Sequence, residues 1–134
     1  MIKLAEMDQQ FTATLQSIFK EKKWVKLAFL FGSQSKGKNR SESDFDIAIW
    51  PEETAKDKDI NNLWLELEET LKKSVDLVNL SSAAPLVAWE AFKGTPIDIK
   101  DQRFYINKML EVSSEAEDFS RFVIDVWKAR EAKK

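Results

Sequence analysis

The 134 residues combine 43% apolar side chains, five Trp and nine Phe with a formal charge of −2. That balance builds one packed domain and gives no global electrostatic case for a nucleic-acid or membrane partner. The chain has neither Cys nor His, which excludes disulfides, thiolate or imidazole metal ligation, a Cys nucleophile and any His-based triad or general base.

The N-terminal "MIKLAEMDQQF" has no apolar signal region. No apolar run approaches the roughly 18 residues of a membrane span, so the expected location is the cytoplasm. Leu4, Met7, Phe11, Leu15, Ile18 and Phe19 recur at helical spacing and predict an amphipathic helix over 4–20. "VKLAFLF", 25–31, is too short and too apolar for a surface helix and reads as a buried strand. "FDIAIW", 45–50, is a second strand ended by Pro51. Ile60, Leu63, Trp64, Leu67 and Leu71 mark a second helix, and "VDLVNL", 75–80, a third strand. Residues 83–93 form a short helix, with Pro85 in its first turn and Gly94 at its end. Ile97 and Ile99 fit a brief fourth strand. The last third is helical, first from Phe104 to Glu111. Phe119, Phe122, Val123, Val126 and Trp127 then form an apolar stripe that is expected to pack into the core, with a partner interface as the alternative. Trp50, Trp64 and Trp89 are expected to be packing residues. The fold class is α/β (α+β): a small mixed sheet with helices packed against it, in one domain over 1–134.

Two acids stand at the mouth of the second strand. Side chains of a strand alternate faces, so Asp44 and Asp46 point one way and Phe45, Ile47 and Ile49 the other. Asp76 sits inside "VDLV", an unfavourable place for a lone charge. If the two strands are neighbours, the three carboxylates converge, and such a cluster either holds protons or binds a cation. Oxygen donors alone suit Mg²⁺ or Mn²⁺. Twelve residues before Asp44, Gly32 permits close backbone approach to a phosphate. Ser33 and the nearby amides can donate to its oxygens, and Lys36, Lys38 and Arg40 add positive charge. Each feature alone is ordinarily a solvated turn, loop or strand end. Their conjunction in this order points to a site.

The pattern Gly-Ser-x10-Asp-x-Asp, carried here by Gly32, Ser33, Asp44 and Asp46, resembles the nucleotidyltransferase superfamily typified by DNA polymerase beta, with Asp76 matching its third carboxylate. "LFGSQSKG", "SESDFDIAI" and "VDLV" resemble more closely the minimal nucleotidyltransferases, the MNT-type (MntA-like) antitoxins. The resemblance covers residues 25–100 and leaves the helical region 102–134 without a counterpart. Family members commonly carry Arg where this chain has Gln34 and Lys36. The resemblance implies a polymerase-beta-like fold and Mg²⁺-dependent transfer of a nucleoside monophosphate, AMP from ATP. In that scheme Asp44, Asp46 and Asp76 are catalytic and hold two metal ions. Gly32, Ser33 and Lys36 bind the nucleotide. The implied acceptor is a tyrosine hydroxyl on a HEPN-type helical toxin, and no direct nucleic-acid binding is expected. Two alternatives stand beside it. One is transfer to a small molecule such as an aminoglycoside, with the acceptor site completed by a homo-oligomer or a separate helical subunit. The other is an antitoxin that acts by binding alone.

Overall fold

The computed structural model describes residues 4–31 and 44–132, with side-chain surroundings for 9–31 and 44–131. The elements follow in the order α1 (Leu4–Lys20), β1 (Val25–Phe31), β2 (Phe45–Pro51), α2 (Asp57–Leu71), β3 (Val75–Asn79), α3 (Pro85–Phe92), β4 (Thr95–Ile99) and α4 (Gln102–Ala132). This is the element order that the periodicities predict. The strands form one mixed open sheet in the order β3-β2-β1-β4. β1 runs antiparallel to both β2 and β4, while β2 and β3 are parallel. The parallel pair needs a crossover, and α2 supplies it.

Both faces of the sheet are covered, which is why "VKLAFLF" is apolar throughout rather than alternating. On one face, Leu15, Ile18 and Phe19 of α1 and Leu63 and Leu67 of α2 pack against Val25, Ile47, Ile49, Val75 and Ile97. On the other, Ala88, Ala91 and Phe92 of α3 and Val112 of α4 close over Leu27, Phe29 and Ala48. A β-bulge between Val25 and Leu27 shifts the register of β1. Past it, Leu27 joins the α3–α4 core, and Lys26 lies over the Phe104 ring, 4.5 Å from its centroid. Trp50 is a packing residue: it meets Phe104 edge-on at 5.7 Å and Phe92 at 6.4 Å, and Lys108 stands over its ring.

α2 ends at Lys72, whose φ of 58° is left-handed, and its amide donates to the Glu68 carbonyl at 2.9 Å. Pro85 opens α3, where a missing amide costs nothing. Gly94 closes the turn into β4. A Cβ there would strike the Leu30 carbonyl oxygen and lie 2.8 Å from the Phe31 Cβ, so this turn can lie against β1 only because the residue is glycine.

α4 is one helix of 31 residues, the single final helix of the expected order. Its distal apolar stripe is not core: Phe119, Phe122, Val123, Val126 and Trp127 are between 43% and 63% exposed. Helical spacing specifies that an apolar face exists, and none of the described elements covers its distal part. Among the described residues, no helix is long and apolar enough to cross a membrane.

Candidate active site

The strand directions bring the relevant residues to one end of the sheet. β1 finishes where its antiparallel neighbours β2 and β4 begin, and β3 begins beside β2. In the ladder, Asp46 is the register partner of Asp76 on β3 and of Phe31 on β1. Register partners share a face, so Asp46 and Asp76 project side by side on the side of Ala48 and Val78. Phe31, the residue before Gly32, stands on Asp46's other flank. The neighbouring of strands that the convergence of acids required is therefore present. Asp44 is one pleat earlier on the same face and exposed, Asp46 is half-buried, and Asp76 is exposed.

Backbone contacts fix the entrance of β2 against that of β3. The Ser74 carbonyl accepts from the amides of Asp44 at 2.9 Å and Phe45 at 3.1 Å. In return the Ser74 amide donates to Oδ2 of Asp44 at 3.0 Å. One carboxylate oxygen of Asp44 is thereby committed to holding the two strands together. On the opposite face, Phe45 stacks on Phe11 of α1 with centroids 4.7 Å apart, which pins the same residue pair from below.

β3 is an edge strand, and its first residue would leave an amide and a carbonyl facing outward. α2 satisfies both. Nε1 of Trp64 donates to the Val75 carbonyl at 2.7 Å, and Oε2 of Glu68 accepts from the Val75 amide at 2.8 Å. Trp64 and Glu68 are four residues apart on one helical face, so together they clamp the residue that precedes Asp76. Sequence reading missed this role for Trp64 and Glu68, and also missed Ser74. Nothing local to a helix announces which strand edge its polar atoms will meet.

Gly32, Ser33 and Lys36, expected to bind the nucleotide, lie outside the described residues, as do Lys38 and Arg40. Among the described residues, no three acidic groups come together closely enough to cage an ion. The donor set still fits a hard cation. Mg²⁺ usually keeps several waters and takes only one or two carboxylates plus substrate phosphate oxygens. The in-register pair Asp46 and Asp76 offers that number, with Asp44 one pleat away. No side-chain polar atom among the described residues is buried without a partner.

The protein family described as "Polymerase beta, Nucleotidyltransferase" matches residues 13–103. A Methanocaldococcus jannaschii protein bearing the name "Putative protein adenylyltransferase MJ0435" is 38% identical over 63 residues, 47% of this chain and 68% of that protein. Among solved structures, the fold is shared with a chain of the MntA-HepT toxin-antitoxin complex, at a TM-score of 0.67 and 20% identity, over 89% of this chain and 98% of that one. A toxin-antitoxin structure with AMP-PNP matches at 0.64 and 22% identity, over 87% and 98%. A complex of tri-AMPylated Shewanella oneidensis HEPN toxin with MNT antitoxin matches at 0.65 and 21% identity, over 91% and 99%.

Proposed function

Because the chain belongs to the polymerase beta nucleotidyltransferase family, we propose that this nucleotidyltransferase moves AMP from ATP to a hydroxyl of a partner protein, a small helical HEPN-type toxin that it thereby silences as an antitoxin. The observation that carries the reading is the register pair Asp46–Asp76 at the end of the sheet where β1 delivers the chain to Gly32. The relative named for protein adenylylation supports the donor and the acceptor class. The AMP-PNP complex and the AMPylated HEPN toxin of proteins with this fold support the same choice.

Asp46 and Asp76 would hold Mg²⁺ or Mn²⁺, with Asp44 offering the oxygen that Ser74 does not use. When bound, two such ions supply neutralisation of the triphosphate and an in-line clamp on the attacking and leaving oxygens. Gly32, Ser33 and Lys36 hold the phosphates of ATP. Asp76 orients the acceptor hydroxyl and accepts its proton. The hydroxyl oxygen forms a bond to the α-phosphorus as the bond to pyrophosphate breaks. The protein's contribution is position and fixed charge, and the Trp64–Glu68 clamp on Val75 keeps Asp76 in place.

The test is transfer of label from α-labelled ATP, with Mg²⁺, in the presence of a co-expressed HEPN-type helical protein. Label appears on that protein and is lost in Asp44→Asn. Label on an aminoglycoside alone would move the acceptor to small molecules. Full neutralisation of the toxin by Asp44→Asn and Asp76→Asn variants that bind it normally would make the chain a binding module.

A further inference from the structure

α3 covers the first part of the apolar face of α4. Val112 and Ala116 are buried there, and Leu86 and Trp89 of α3 stand across a groove from Ser113 and Ser120. From Phe119 onward the cover stops, and Phe119, Phe122, Val123, Val126 and Trp127 are exposed. A contiguous exposed stripe of this kind marks an interaction surface. The charges along its borders say what chemistry meets it.

Residues three and four apart are neighbours on a helix. Asp118 and Asp125 stand four residues before and three after Phe122, and Glu115 stands four before Phe119. The border on the Phe122 side is therefore a row of acids, all of them exposed. The border on the Trp127 side carries Ser120, Ile124 and Glu131. Arg121 and Lys128 lie on the reverse face with Glu117, which Arg121 meets at 3.7 Å. Arg130 comes into line with the stripe only beyond its end. Self-pairing supplies no complement to this pattern. An antiparallel copy lays the Phe122 side of one helix along the Phe122 side of the other, acid row on acid row. A parallel copy lays the acid row along Ser120, Ile124 and Glu131, which offer no base.

We propose that the stripe is the docking seam for a helix of the acceptor protein, a helix whose apolar row is bordered by Lys or Arg. This rests on the reading that the acceptor is a protein. The nine residues from Phe119 to Trp127 give about 14 Å of helix. Phe122 and Trp127 are the anchors, and the acid row at the rim sets which helix is accepted more than how tightly.

The experiment is titration calorimetry with a HEPN-type helical protein, co-expressed with this chain and then separated from it, without ATP so that no transfer intervenes. The parent binds. Trp127→Ala weakens binding at least about tenfold and keeps the parent's far-UV spectrum, because the side chain is exposed in the free chain. Asp125→Lys weakens binding about fivefold, and Glu117→Lys, the same change of charge on the reverse face, less than about twofold. Raising the salt from about 0.05 to 0.5 M narrows that difference. Binding that is absent, or that Trp127→Ala leaves unchanged, overturns the proposal. So does Asp125→Lys that binds as well as Glu117→Lys, or a free chain that sediments as a dimer which Trp127→Ala dissociates. If α-labelled ATP still labels the helical protein in any of these cases, only the seam is lost. Neither binding nor label removes the protein acceptor itself, and the seam with it.

Discussion

Gly94→Ala tests, by its sign, whether the α3–β4 turn presses on the end of β1 that leads into the site. The backbone at Gly94 lies outside the left-handed region, so Ala can adopt it. In open space that substitution stabilises a protein by about 0.4–1 kcal/mol, through the unfolded chain. Here the added methyl would collide with the Leu30 carbonyl oxygen, fall 2.8 Å from the Phe31 Cβ and 3.2 Å from the Ala91 carbonyl oxygen. Two of these three neighbours are backbone and cannot rotate away. Overpacking of this kind costs about 1–3 kcal/mol. The entropic gain offsets part of it, leaving a net loss of about 1–2 kcal/mol. For a domain of this size that is a fall in Tm of about 3–8 °C. Leu30 and Phe31 are the last residues of β1, and Phe31 faces Asp46 across the ladder, so relief by moving β1 is transmitted to the carboxylates. Urea denaturation gives the stability, and the rise in Tm on adding ATP with Mg²⁺ gives the site. Both fall together. A variant as stable as the parent, or more stable, would refute the close approach and with it the account of why this residue is glycine.

The left-handed cap at Lys72 gives the opposite sign: Lys72→Gly removes the Cβ penalty and raises stability by up to about 1 kcal/mol, read from the urea midpoint. Asp46→Asn removes the Tm rise with ATP and Mg²⁺, each protein read against its own ligand-free Tm; EDTA gives the same loss with the parent protein. Glu68→Ala leaves the Val75 amide without its acceptor and costs about 1–3 kcal/mol by denaturation, and it lowers AMP transfer further than Trp64→Phe, which forfeits one neutral hydrogen bond. Phe29→Ala opens a void beneath Phe92 and Tyr105, whose rings lie 4.9 and 5.9 Å from it, and costs about 3–5 kcal/mol by the same measurement.

The elements were legible because each carries its own period. The 3.6-residue rhythm of Leu4 to Phe19 and the unbroken apolar run of 25–31 have few other readings. Pro85 and Gly94 bracket α3 by local backbone chemistry alone. The period of two likewise placed Asp44 and Asp46 on one face. It could not say which residue of β3 would stand beside Asp46, because register depends on the crossover length and on packing against α2. Nor could a sequence show that Trp64, read as one more apolar position of a helix, turns its indole nitrogen to the edge of β3. The Phe119–Trp127 stripe failed for a related reason. Periodicity reports that a face must be covered, and coverage is a property of the whole domain or of its assembly.

The same arrangement explains how a charged cluster is tolerated at the rim of so apolar a sheet. Two like charges in register on neighbouring strands repel, and the β2–β3 pair would be expected to fray where Asp46 meets Asp76. Among the described residues, three hydrogen bonds join the strands at that end, the Ser74 carbonyl on two amides and the Ser74 amide on Asp44, and two more fix β3 to α2 through Val75. None of them uses Asp76, and the acid that is spent, Asp44, gives one oxygen only. The register of β2 and β3 is thus fixed by backbone and by α2, without the carboxylate of Asp76. If the proposed function holds, Ser74, Trp64 and Glu68 position the site as much as the acids form it.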